Sequence, residues 1–372
     1  MKKIIIAVVI LMFFLPTIAY ATEEEEKIMA ELDTDTVDEM LEEMFPNRQL
    51  KFTDILAGLT SGELEFSFSL VFDVIKDQFA GCIQEQKASM IRLLALILVA
   101  AVFTNFSNVF QSRQVSEIGF YVIYMILITI SIGTFRMLIE MTADNLEQLT
   151  SFMKVLSPVY FIATALATGS ITSIAFYNIV LIVIFLVEMF VLTVVIPLVQ
   201  IFLLCRLMNY LAIEDYLSKL AEFLQTIIVW TMKTILAAII GLNIIQGILG
   251  PAIDSVKRSV LTRGAEAVPV VGDAVGGVTE VFLGTATVIK NGIGIAGALI
   301  CVVIVLVPLI QVAIVTLLYK LMAAIVQPIS DKRIVGCISS VADGTAMLLR
   351  VVFTTGMLFL LTIAVVAATA GG

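Results

Sequence analysis

Ile196-Pro197-Leu198-Val199-Gln200-Ile201 decides how this chain is read, because it returns 111 residues later as Val307-Pro308-Leu309-Ile310-Gln311-Val312. The same offset pairs Ser157-Pro158-Val159 with Val268-Pro269-Val270, Ala163 with Ala274, and Thr168 with Thr279. Two prolines keeping one offset point to a tandem duplication, with a period longer than those of the familiar soluble solenoids. We take 151–249 as repeat unit 1 and 250–372 as repeat unit 2. Both copies of the motif lie inside long apolar runs, the pattern of membrane proteins built from two similar halves.

Composition supports that reading. Of the 372 residues, 60% are apolar and 14% charged, whereas soluble domains carry about a quarter charged residues. Several windows exceed the roughly 20 apolar residues that cross a bilayer as helix. The short alternating segments of an outer-membrane barrel are missing. The prediction is an all-α polytopic membrane protein with about six transmembrane helices in the mature chain, a tandem internal duplication, and short re-entrant or interfacial segments.

The net charge of −9 belongs to one segment: residues 22–50 hold eleven Asp and Glu against Lys27 and Arg48, and 11 − 2 = 9. The rest is near neutral and offers no basic face to a nucleic acid. There is no histidine, which removes Ser-His and Cys-His catalysis and most zinc or haem sites. The four cysteines have no paired spacing, so no disulfide framework follows. No phosphate-cradling Gly-x-x-x-x-Gly-Lys loop occurs, so energy from a nucleotide would have to come from a partner. Val271-Gly272-Asp273 has a faint likeness to the Gly-Asp of intramembrane aspartyl proteases. A second span-borne Asp is missing, and that chemistry needs two carboxylates. The reading is therefore no enzyme, with no catalytic residue, metal site or cofactor.

Along the chain, 1–21 has the layout of a secretory signal: Lys2 and Lys3, an apolar run, then Ala19-Tyr20-Ala21. Residues 22–90 form an acidic extracytoplasmic helical region. Thr36 and Glu39 resemble a capping box, with Val37, Met40, Leu41, Met44 and Phe45 on one face and Pro46 as the stop. A second amphipathic stretch carries Leu70, Val71, Val74, Ile75 and Phe79. Residues 91–150 make a first transmembrane hairpin, with spans over 91–110 and 118–139 and a polar loop over 140–154. Each repeat unit then holds a Pro-led re-entrant element (Pro158; Pro269 with Asp273), a long helix kinked at proline, a surface helix (206–225; 320–343), and a span with a cation. Two crossings per unit would leave the repeats parallel. Lysine and arginine placement does not fix orientation.

Charges inside spans are the candidate functional groups. Glu188, Lys233 and Arg350 form a candidate intramembrane polar path, since each costs several kcal/mol in lipid unless paired or wetted. They either line an aqueous route, or lock helices with Glu188 paired to Lys233 or Arg350, or the cations snorkel. Lys233 and Arg350 occupy corresponding places in the two units and are expected to face the interior. Pro197 and Pro308 are helix kinks, and Gln200 and Gln311, three residues on, are placed to bond the carbonyls that the kinks free.

With its signal-like start, its acidic segment, Val268-Pro269-Val270-Val271-Gly272-Asp273 and the Val-Pro-Leu-Ile-Gln helix, the chain resembles the stage III sporulation protein AE family nearly end to end. The resemblance implies a multi-pass component of the endospore-formation complex, in the mother-cell membrane that faces the forespore. It implies a channel or feeding conduit, for which the chain would be a permease-like or export-gate subunit. The alternative is a non-conducting scaffold that assembles the ring and ATPase components. Implied partners are the other stage III sporulation A-operon membrane and ring proteins, a secretion-type ATPase in trans and, indirectly, the forespore stage II sporulation protein Q. The bilayer is a partner too, and there is room for a homo-oligomer.

Overall fold

The computed structural model describes residues 34–45, 51–61, parts of 76–102, 113–168, 171–212, 214–265 and 272–369. The signal-like start, Pro46, residues 70–75, Pro269 and the second half of the 91–110 span apart from residue 102 lie outside the described residues.

Two short helices come first, α1 (Asp35–Met44) and α2 (Phe52–Ser61). Val37 and Leu41 bury one face of α1, and Met40, Met44 and Phe45 pack beside them. The capping box does not form. The helix begins one residue before Thr36, and its N-cap Thr34 makes no side-chain capping bond. Asp38 instead caps the next helix. Its carboxylate accepts from the backbone N–H of Phe52, from that of Thr53 at 3.3 Å and from the Thr53 hydroxyl at 2.6 Å. An anionic acceptor at a helix start satisfies donors with no intrahelical partner.

The remainder is a set of long helices. They are α3 (Arg113–Thr168), α4 (Ile171–Phe190), a π turn (Val191–Val195), α5 (Ile196–Leu211), α6 (Ser218–Ala265), α7 (Gly272–Val326) and α8 (Lys332–Thr369). They hold five candidate spans: Glu117–Thr164, Leu181–Leu211 (running through α4, the π turn and α5), Ser218–Leu242, Ala286–Val326 and Lys332–Ala364. No strand occurs among the described residues.

Three expectations are corrected here. α3 is continuous over 56 residues, about 84 Å at 1.5 Å per residue, so 140–154 is helix and Pro158 does not begin a separate re-entrant element. The polar residues there, Glu140, Asp144 and Glu147, are spaced four and three apart and share an exposed face. Leu146, Leu149, Phe152, Met153 and Leu156 bury on the other side. Beyond Pro158, Val159, Tyr160 and Ala163 are again buried, and packing carries the helix past the missing N–H. Second, α7 is unbroken from Gly272, with Asp273 in its first turn, where a broken re-entrant segment was expected.

Third, neither surface helix exists. Long helices instead meet at short corners, 212–217 and 327–331. Leu207 and Leu224, both inside the expected 206–225 surface helix, enter the same core from opposite sides of the first corner. Asn209 Oδ1 accepts the Leu217 N–H at 2.8 Å, and Asp215 accepts from the Ser218 N–H at 3.3 Å and its hydroxyl at 2.8 Å. Those bonds, led by the Ser218 hydroxyl, hold the Asp215 carboxyl below its ordinary range. At the second corner Asp331 accepts the Arg333 N–H at 2.8 Å, and the Arg333 guanidinium stacks 3.5 Å over the Phe120 ring.

The helices enclose two cores in succession along their length. One joins the first half of α3 (Phe120 to Ile139) to α5, the start of α6, the end of α7 and the first half of α8. The other joins α1 and α2 to the second half of α3, the first half of α7 and the end of α8. Each repeat unit thus holds two helices long and apolar enough to span, joined by a corner. Cysteine labelling checks the topology: with an even number of crossings, probes at Thr60 and Gly371 are both expected to react from the extracytoplasmic face. Reaction from opposite faces would remove the even count.

Candidate intramembrane polar site

Glu188 sits at the end of α4, one turn before the π turn, and is 7% exposed. Thr150, Lys154 and Glu147 of α3 lie around it. Its Oε2 is buried with no hydrogen-bond partner among the described residues. It forms no described ion pair with Lys233 or Arg350. Lys154 is engaged elsewhere as well, with its Nζ 5.3 Å from the centre of the Phe185 ring. A carboxyl inside an apolar bundle is costly unless paired or wetted, and Glu188 is enclosed without a salt bridge to seal it.

Lys233 on α6 and Arg350 on α8 do not face the interior of the chain. Both are exposed on its outer surface. The three residues expected to form one path are therefore separated, with the acid inside and the cations outside.

The prolines are accommodated in two different ways. Pro197 is the second residue of α5, directly after the π turn, whose wider ladder bonds the Ile196 N–H to the Val191 carbonyl. Pro308 lies inside α7 with no such turn. A proline leaves the carbonyl four residues back without its usual donor, and here that carbonyl belongs to Ile304. Asn145 of α3 reaches it, with Nδ2 donating to the Ile304 oxygen at 2.7 Å in a buried site. The task assigned to Gln311 is thus performed by a neighbouring helix. Gln200 is exposed, while the Gln311 carbonyl accepts from Cys82 Sγ at 3.9 Å.

Two further charged groups escaped the sequence reading. Arg206 Nη2 bonds Asp343 Oδ2 at 2.9 Å, tying α5 to α8 and so unit 1 to unit 2. The signal for it, an Asp eleven residues into an apolar helix, was present but had been placed in a surface segment. Lys290 is fully enclosed on α7 beside Ile289 and Ile293. No cluster of three His, Cys, Asp or Glu is gathered among the described residues.

These features define a polytopic helical membrane protein with polar groups both between helices and on exposed helical faces. The family profile of stage III sporulation protein AE matches residues 50–370, and the chain belongs to that family. It is 23% identical over 280 residues to the stage III sporulation protein AE of Bacillus subtilis (strain 168), covering 75% of this chain and 70% of that one. No solved structure matches it. The protein is thereby a membrane protein of sporulation.

Proposed function

We propose that the chain is a permease-like, export-gate subunit of the conduit between mother cell and forespore, seated in the mother-cell membrane facing the forespore, and that it is not an enzyme. Glu188 carries this reading. A scaffold can bury its charges as closed pairs, whereas a gate needs polar groups left available inside the bundle. Glu188 is enclosed, lies next to Thr150 and Lys154, and retains an unbonded oxygen. The two spanning hairpins support the reading of a duplicated membrane unit. In this role the chain works with the A-operon membrane and ring proteins and with a secretion-type ATPase acting in trans.

The scaffold reading has its own observation, the Arg206–Asp343 pair that closes unit 1 onto unit 2. Glu188→Gln separates the two readings, because it keeps shape and hydrogen bonding while removing charge. With assembly of the complex intact, flux through reconstituted protein and forespore development are expected to fall at least about tenfold, the range seen when a positioned acid–base or polar group is lost. Wild-type flux and development in the variant would leave the scaffold reading in possession.

A further inference from the structure

Five exposed charges on α3, α6 and α8 fall within about 10 Å of one another in depth. A methyl group built on Gly344 of α8 would stand 3.2 Å from Phe135 of α3 and 3.3 Å from Leu203 of α5, so these three positions are level. α3, α6 and α8 run in the same direction, and each residue adds about 1.5 Å. Arg350, six residues past Gly344, is about 9 Å above that level. From Leu203 the chain descends eight residues to Leu211 and climbs again from Ser218, so Lys233 stands about 11 Å above it. On α3, Glu140, Asp144 and Glu147 stand about 8, 14 and 18 Å above Phe135.

All five side chains are exposed. Glu140 is already paired with Arg136 on its own helix at 2.8 Å. Asp144, Glu147, Lys233 and Arg350 enter no described ion pair. Each cation stands beside a large exposed apolar side chain three residues away: Trp230, 70% exposed, with Lys233, and Phe353, 37% exposed, with Arg350. Met137, 48% exposed, precedes the acidic stripe in the same way. A charge on an apolar helical surface is unfavourable until something of opposite sign covers it. The chain itself supplies acids within about 3 to 9 Å of the cations in depth, the nearer of which a long Lys or Arg side chain can reach.

We infer that the α3 stripe of Asp144 and Glu147 docks onto the Lys233 and Arg350 face of a second copy of this chain, a head-to-tail contact whose repetition generates a ring or an open array. The contact is heterologous, because acid and cation sit on different helices, and such contacts close into rings when the rotation allows. The inference stands apart from the conduit reading, which needs no second copy.

The test uses the full chain in nanodiscs and mild detergent, with mass read by light scattering. Wild type is expected to be oligomeric. Asp144→Lys and Arg350→Glu should each lower the oligomeric fraction at fixed concentration at least about tenfold, as expected when one side of a desolvated charge pair is reversed. The combined swap should restore it, which also shows that the single variants fold. In a background with the four native cysteines replaced by alanine, Asp144→Cys and Arg350→Cys chains with different tags should cross-link when mixed and neither should cross-link alone. A monomeric wild type, an oligomer indifferent to both reversals, a swap that fails to restore, or membrane cross-links only to a different protein would each overturn the inference.

Discussion

Replacing Gly356 by alanine is expected to destabilise the bundle by about 3 kcal/mol, the upper part of the range for forced overpacking. The added Cβ would stand 2.3 Å from Val305 Cγ1, 3.0 Å from its Cγ2 and 3.2 Å from its Cβ. Val305 cannot swing aside, because a β-branched side chain has essentially one rotamer in a helix and this one is buried at 7% exposure. The helices themselves must part. Val305→Ala opens the space, so the double variant should recover at least about 1 kcal/mol relative to the sum of the single changes. Thermal and SDS unfolding of purified protein read the cycle. Purely additive effects would mean that α7 and α8 are not in contact there.

The second large effect concerns Asn145. Changing it to leucine is expected to cost about 2 kcal/mol, since the Ile304 carbonyl is then buried with neither backbone nor side-chain donor. Intramembrane hydrogen bonds alone average below about 1 kcal/mol, so the stranded acceptor dominates the sum. The diagnostic partner is Pro308→Ala, which returns an N–H to α7 at the position that normally serves Ile304. In that background Asn145→Leu should cost well under half as much. An undiminished cost would show that Asn145 acts through something other than the carbonyl released by Pro308.

Much of this architecture was readable because bilayer thickness and apolar length are directly comparable. The spans around Pro197 and Pro308 and α1 follow from local composition and period. The continuity of α3 was hidden by polarity. Glu140, Asp144, Asn145, Glu147 and Gln148 look like a loop until the four- and three-residue spacing of the exposed acids is set against buried Leu146 and Leu149. The surface helices were misread for a related reason, since one amphipathic period ran across a corner and belonged to two facing helices.

The polar contacts were hidden by distance along the chain. Asn145 and Ile304 are 159 residues apart, and Arg206 and Asp343 are 137 apart. No local pattern connects a lone amide with a carbonyl freed in a different helix. Lys233 and Arg350 were recognised as costly in lipid, but sequence alone could not say on which side of their helices they lay. Gln200 was given a role because it stands near Pro197, but it is exposed, and the Ile304 carbonyl freed near Gln311 is served from α3.

The two treatments of proline make the two motif helices mechanically unequal. In α7 the weak point is braced from outside, because Asn145 ties the Ile304 carbonyl to α3 in a buried site. In α4–α5 the ladder is re-spaced within the helix over Val191–Val195, and a π turn is one of the places where a helix kinks. Force applied along the bundle therefore bends the first helix at Val191–Val195 before it bends the second. α7 serves as the strut, and α4–α5 as the spring that sits one turn from Glu188.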